Sequence, residues 1–408
     1  MAALLPALTI LSLVAVGIDG YRNVTISTLA SAVAKGAVCL DGTPPAYAYS
    51  PGFGDGIDNW HVYLEGGGWC ENTSSCLDRS TNGLGSSPKL ISSKNGIQSF
   101  GGMLEDNSTF NSDFYNWHVF RIFYCDGSSF TSDVEDVDPV HNLTYRGARI
   151  YDAMMDELLR IGMGNAKNAL LSGTSAGGLA TILHCDKFQA LFHNTTRVKC
   201  VSDSGFFVYG EHFMGADRRE AFFSDVVSTH GLTNTLPTSC TSKFRPTLCL
   251  FPENLVQDIK TPLFLMESSF DSYQIGENVF SPSDKSPRWA NCTHNLMFCN
   301  WTEIKIMKDF RYTFINTLKS TITDSSSRRG YFVHSCYRHG HMAYTHGSTC
   351  LIGNKLANKT ITQAVGDWYF DRSGFQEMDM LNDLPRTCTT TDDEATFEKN
   401  CSDYYMQH

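Results

Sequence analysis

Short apolar runs rich in β-forming residues recur along the chain and alternate with amphipathic stretches. "WHVYLE" (60–65), "WHVFRIFY" (117–124), "NALLS" (168–172) and "TPLFLME" (261–267) each predict a buried strand. Between the second and third, "RGARIYDAMMDELLRIG" brings Ile150, Met154 and Leu158 round every four residues, one face of a helix. Strand, helix, strand, helix is the order of a mostly parallel sheet with helices on both faces. No repeat or low-complexity linker breaks it, so residues 21–408 are expected to form one domain. From Val201 to Asp258, and again from Ser281 to Asn300, the periodicity weakens and Phe, Thr and Cys accumulate. These segments read as disulfide-stapled insertions over the sheet. In such a sheet, insertions at the carboxyl ends of strands build the substrate site.

The start of the chain follows another pattern. Residues 1–20, "MAALLPALTILSLVAVGIDG", hold an apolar run too short to span a bilayer, then small residues. This predicts a secretory signal peptide, cleaved near Gly20. No later stretch approaches eighteen apolar residues, so no membrane association is expected after cleavage. Fourteen cysteines, an even number, suit an oxidising compartment and up to seven disulfides. Cys70–Cys76 and Cys185–Cys200 are candidate pairs from proximity. A zinc site is disfavoured because Cys70 and Cys76 have no matching second pair. Nine N-x-S/T sequons, at Asn23, Asn72, Asn107, Asn142, Asn194, Asn291, Asn300, Asn358 and Asn400, fit a glycoprotein. A net charge of −11 argues against a nucleic-acid partner. It would also repel a polyanionic substrate unless a local basic cleft intervenes, for which Lys305, Lys308, Arg328, Arg329 and Arg338 are the candidates.

The chemistry centres on "NALLSGTSAGGLATILH" (168–184). Gly173-Thr174-Ser175-Ala176-Gly177 fits G-x-S-x-G, a weak signal alone. Its setting is more specific: an apolar strand precedes it and an Ala-rich helical stretch follows, as a nucleophile elbow requires. The alternative is a Gly-rich turn with a capping serine. "LEGGGWC" (64–70) follows the first strand and supplies a Gly-rich loop opposite the elbow, with Glu65 where esterase loops of the HGGG type carry His. The N–H groups of Gly67 or Gly68, with that of Ala176, are the candidate oxyanion hole. The acid is expected downstream. Asp271 follows the strand "TPLFLME" and is favoured by position; Asp203, in "VSDSGFF", is its rival, and Asp258 lies at the wrong edge. Four histidines compete for the base: His334, His339, His341 and His346, with His339 leading.

Five long motifs resemble one family. "AVCLDGTPPAYAYSPGFG", "NWHVYLEGGGWC", "FYCDGSSFTSDVE", "LLSGTSAGGLA" and "AVGDWYFDR" are similar to plant pectin acetylesterases, with the animal carboxylesterase Notum a more distant relation. The resemblance runs from about Val38 to Arg372 and implies an α/β-hydrolase fold with a Ser-Asp-His triad, no metal and no cofactor. Ser175 matches the nucleophile, Asp271 in "FDSYQI" the acid, and His339 in "SCYRH" the base, which separates it from its neighbours. Relatives continue the last motif as His-Cys-Gln, whereas this chain reads His339-Gly340-His341. Cys350 is then the candidate to take over the missing cysteine's disulfide role. Trp69, Asp126 and Arg338 are the substrate-binding candidates, Arg338 as a partner for a galacturonate carboxylate.

Together these features predict a secreted, monomeric serine esterase of the plant cell wall. It would release acetate from acetylated pectin through an acetyl-enzyme. The rivals are another acyl specificity (a lipid-modified protein or another acetylated polysaccharide) and a catalytically weak glycan-binding relative. An apolar tunnel beside Ser175 would favour a lipid acyl group, and a shallow groove an acetylated polysaccharide.

Overall fold

The structure, a computed structural model, describes residues 22–280, 286–322, 328–343 and 356–388. The expected signal peptide, His346, Cys350 and Asn400 lie outside these residues. Among the described residues ten strands form a single sheet: β1 (Arg22–Thr28), β2 (Ala46–Ser50), β3 (Asn59–Leu64), β4 (Ile97–Phe100), β5 (His118–Ile122), β6 (Asn168–Thr174), β7 (Arg197–Asp203), β8 (Leu263–Phe270), β9 (Arg329–Tyr337) and β10 (Gln376–Met378). Their spatial order is β10-β9-β8-β7-β6-β3-β5-β2-β1-β4. The strands from β10 to β5 run parallel. At the other end β2, β1 and β4 pair antiparallel. The described helices are α1 (Thr73–Ser80), α2 (Ser87–Ser93), α3 (Gly147–Arg160), α4 (Ala176–Gln189), α5 (Ala216–His230), α6 (Thr238–Thr241), α7 (Pro287–His294), α8 (Trp301–Thr321) and α9 (Ile361–Tyr369).

The burial of each strand explains its legibility. All eight residues of β8 are buried, as suits a central parallel strand covered on both faces, so it reads as an unbroken apolar run. In β1 the pattern alternates, with Val24 and Ile26 buried between exposed neighbours. Successive strand residues feed opposite faces of the sheet. Leu171 and Leu265 join Ile150, Met154 and Leu158 of α3 and Phe314 of α8 in one core. Leu170 and Phe264 join Trp117 and Trp368 in the other.

The expected insertions are partly regular. α5 occupies the middle of the first, burying Phe223, Val226 and Val227 on one face. Cys240–Cys249 staples that segment, and Cys292–Cys299 staples the second. Cys70–Cys76 and Cys185–Cys200 form as expected from proximity. Cys39–Cys125 and Cys336–Cys388 join more distant parts of the chain. Cys336, on the strand leading to His339, is therefore held by Cys388.

Candidate active site

The site lies at the carboxyl ends of the central strands. Ser175 occupies the one residue between β6 and α4, at φ 62° and ψ −125°. A non-glycine residue there costs on the order of 1–3 kcal/mol, which the surrounding packing must supply. The flanking glycines are demanded by close approach. A Cβ on Gly173 would lie 2.2 Å from the Gly177 carbonyl oxygen, and one on Gly177 would lie 2.1 Å from that of Leu64. Helix, elbow and β3 thus meet with no room for side chains.

Asp271 directly follows β8, and His339 lies two residues beyond β9. His339 Nδ1 is 2.7 Å from Asp271 Oδ2, and His339 Nε2 is 2.7 Å from Ser175 Oγ. The carboxylate fixes the tautomer: Nδ1 donates to Asp271, which leaves the Nε2 lone pair to accept from the Ser175 hydroxyl. The other Asp271 oxygen accepts from the Gln274 N–H at 2.8 Å, so the acid is held from both sides. The Asp271 side chain is fully buried, whereas that of His339 keeps 17% of its surface exposed. Burial alone would lower the His339 pKa; the charge and hydrogen bond of Asp271, and the more distant charge of Asp203, outweigh it and hold the pKa above the ordinary value.

Across the elbow, a Cβ on Gly66 would lie 2.1 Å from the Thr174 carbonyl oxygen, so the Gly-rich loop abuts the nucleophile. Arg79 Nη2 donates to the carbonyls of Gly67 (2.9 Å) and Trp69 (3.1 Å), and the Tyr124 hydroxyl donates to that of Gly68 (2.8 Å). In a trans peptide the N–H points opposite the carbonyl, so anchoring the Gly67 oxygen aims the Gly68 N–H the other way. Ala176 is the first residue of α4, where the N–H has no intrahelical acceptor and the helix dipole favours negative charge. Glu65 does not cover the loop as a histidine would. It pairs with Arg121 at 2.5 Å and accepts from the Tyr124 N–H, tying the loop to β5.

Ser129, which sequence reasoning missed, links the two halves of this arrangement. Its Oγ accepts from Trp69 Nε1 and donates to the Ala176 carbonyl, both at 2.8 Å, while its N–H donates to Tyr124 Oη. Ser129 and Phe130 both adopt positive φ, 56° and 58°. Two consecutive left-handed non-glycine residues mark a turn held by its surroundings. Its only trace in sequence is the motif "CDGSSF" itself.

The remaining candidates separate. Trp69 walls the site beside Phe207, with ring centroids 5.0 Å apart, and Phe207 lies 6.2 Å from the His339 ring. Beyond them Trp69, Phe207, Arg219, Phe222, Phe223 and Phe251 line a small, partly open void of about 10 Å³. Arg338 adjoins His339, and its Nε donates to the Gly340 carbonyl. Asp126 is fully buried, and its carboxylate accepts from the Ser128 N–H and hydroxyl and the Phe130 N–H, closing the turn that carries Ser129. The basic cleft is not assembled either. Lys305 and Lys308 sit on α8, paired with Asp309 and Asp383, and Arg329 is buried at the opposite end of β9 against the Val256 and Thr261 carbonyls. Asp203, the rival acid, is fully buried and bonds His341 rather than His339. The sulfurs of Cys70 and Cys76 near His230 are joined to each other, so they are not thiolate ligands.

Residues 19–390 match the family described as Pectinacetylesterase. Pectin acetylesterase 11 of Arabidopsis thaliana is 44% identical over 387 residues, covering 93% of this chain and 96% of that protein. Palmitoleoyl-protein carboxylesterase notum1a of Danio rerio is 28% identical over 58% of this chain and 49% of its own. The solved structure of the Wnt deacylase Notum from Drosophila superposes with a TM-score of 0.71 at 21% identity, covering 90% of this chain and 100% of that one. That likeness establishes the α/β-hydrolase fold. The chain belongs to the pectinacetylesterase family.

Proposed function

We propose that this protein is a secreted serine esterase that removes acetyl groups from pectin in the plant cell wall. Carboxylic ester hydrolysis follows from the family; Ser175, His339 and Asp271 are our assignment of the residues that perform it. The observation that carries the assignment is the continuous chain Ser175–His339–Asp271, with two contacts of 2.7 Å at a strained elbow. His339 accepts the Ser175 proton as Oγ attacks the acetyl carbonyl. The oxyanion then forms opposite the Gly68 and Ala176 N–H groups. His339 returns its proton to the departing sugar hydroxyl, leaving acetyl-Ser175. Water, deprotonated by His339, attacks that ester and releases acetate.

The acetyl preference rests on the family and on relatives that are pectin acetylesterases. The six described disulfides and the exposed sequon residues Asn23, Asn72, Asn142, Asn194, Asn291 and Asn358 support the secretory reading. With Arg338 the one member of the basic set beside His339, the net charge of −11 favours pectin whose carboxylates are methyl-esterified. The test is acetate release from acetylated pectin by wild type and Ser175→Ala. The reading expects release by wild type alone; equal release by both would sink it.

A further inference from the structure

Directly beneath the triad lies a second Asp–His arrangement that the mechanism does not use. Asp203 ends β7, His334 lies within β9, and His341 lies two residues beyond His339; all three are fully buried. Asp203 Oδ1 is 2.6 Å from His341 Nδ1, and His341 Nε2 is 2.7 Å from His334 Nε2. Asp203 Oδ2 accepts from the N–H groups of His341 (2.8 Å) and Met342 (2.7 Å) and from the Thr174 hydroxyl (2.7 Å). The backbone carbonyl of Asp203 accepts from the Ser175 N–H at 2.8 Å. The next residue, Ser204, accepts the Gly340 N–H at 2.9 Å. One carboxylate and its neighbour therefore grip both the elbow that carries the nucleophile and the loop that carries the base.

We propose that Asp203 and His341, backed by His334, are positioning residues that hold the His339 loop in register with the Ser175 elbow. The proposal rests on the assignment of Ser175 and His339 made above. The hydrogen bonds dictate the protonation state. His334 Nδ1 accepts from the Cys336 N–H at 3.1 Å, so the single proton of a neutral His334 sits on Nε2. That proton must be donated to His341 Nε2, which leaves the His341 proton on Nδ1, facing Asp203. A second proton on either ring would set two donors against each other. Other titratable and charged groups surround the cluster. Glu267 of β8 is held well above the usual carboxylate range, first by burial and then by Asp271 and Asp203, and its Oε1 accepts from the Gly205 and Phe206 N–H groups. Tyr63 of β3 is likewise pushed up by burial, beside Arg121. Burial first, with the Arg338 and Arg386 charges nearby, holds His334 well below the ordinary histidine value, consistent with its neutral form.

Two measurements decide the proposal. The first needs no catalysis: ¹⁵N NMR of the histidine-labelled wild-type protein. It should show His341 neutral and protonated on Nδ1, and His334 neutral and protonated on Nε2. An imidazolium at either position, or the opposite tautomer, overturns the network. The second is kinetic, on 4-nitrophenyl acetate. His341→Leu removes the donor to Asp203 and should lower kcat about 10- to 100-fold, the scale of a slight misplacement of reacting groups, with KM nearly unchanged. His341→Asn should restore most of that loss, because its carboxamide nitrogen can stand where Nδ1 stood. Asp203→Asn should move the acid limb of the kcat/KM profile to lower pH, since Asp203 is one of the charges that raise the His339 pKa. A folded His341→Leu or Asp203→Asn protein with wild-type kcat overturns the positioning role. If the leucine variant does not fold, the asparagine variants and the wild-type NMR still decide. Wild type with no activity would instead refute the esterase reading, leaving the NMR result to stand on its own.

Discussion

The two Asp–His pairs use the same side chains at nearly the same spacing, 2.7 Å for Asp271–His339 and 2.6 Å for Asp203–His341. Asp203 ends β7 and Asp271 directly follows the adjacent β8, and their bases lie two residues apart on one loop. What separates them is the partner of the second ring nitrogen. In His339 it meets the Ser175 hydroxyl at a partly open surface; in His341 it meets another imidazole in a sealed interior. Gly340, at φ 81°, lies between the two, in the left-handed region that glycine accepts without a Cβ penalty. A carboxylate–imidazole contact is thus not by itself evidence of catalysis. On the proposed assignment, one such pair moves protons and the other holds backbone.

The comparison breaks most sharply by substituting its acids. Asp271→Asn should preserve the fold but favour the wrong His339 tautomer, lowering kcat on 4-nitrophenyl acetate by about 10⁴-fold. Asp203→Asn should fall well short of that, because His339 would retain Asp271. Equal losses would erase the distinction between the pairs. A smaller effect is expected at Ser129, which plays for the oxyanion loop the part that Asp203 plays for the base. Ser129→Ala removes the acceptor of Trp69 Nε1 and the donor to the Ala176 carbonyl. At roughly 1 kcal/mol per hydrogen bond, kcat should fall about tenfold or somewhat more. An unchanged kcat would mean that the Arg79 and Tyr124 contacts hold the loop unaided.

Smaller again is the expected effect of enlarging the small void behind Trp69. Phe223→Ala should extend the 10 Å³ void beside Trp69 and Phe207 and raise the ratio of 4-nitrophenyl butyrate to acetate hydrolysis. Each accommodated methylene contributes about 1–3 kcal/mol at most, and collapse of the aromatic cluster would reduce it, so a several-fold change is expected. A constant ratio across the chain-length series would show that Phe223 does not limit acyl length.

The sequence made the central strands and the elbow plain because burial on both faces leaves an unbroken apolar signature. β6, predicted from 168–172, extends to Thr174, and β8, predicted from 261–267, spans Leu263–Phe270. That extension puts Asp271 immediately at the strand end, the place expected of the acid. The antiparallel edge was less legible because β1, "RNVTIST", buries only Val24 and Ile26, and α5 lay hidden in a segment whose periodicity looked weak. Side-chain direction is the other limit. Asp126 sits in a motif shared with the family, yet its carboxylate turns inward to close a turn. Asp203 and His341 were legible as candidates, but which acid meets which imidazole depends on strand adjacency and on a left-handed Gly340, neither of which local pattern encodes.

The finest test of the comparison is the acid limb of activity. His339 must be neutral to take the Ser175 proton, so activity falls as pH drops through its pKa. Burial acts to lower that pKa, but the charge and hydrogen bond of Asp271, helped by Asp203, raise it above the ordinary value of 6.5. Over the same range His334 stays neutral, since burial holds it well below that value. The kcat/KM profile should therefore fall on its acid side as a single-proton step with a midpoint above 6.5. In Asp271→Asn the residual activity should show a lower midpoint, because the largest opposing influence is gone and burial then dominates. The shift is small beside the loss of rate, but it separates the causes: a wild-type midpoint at or below 6.5, or one that does not move in Asp271→Asn, would mean that the Asp271 charge does not govern His339.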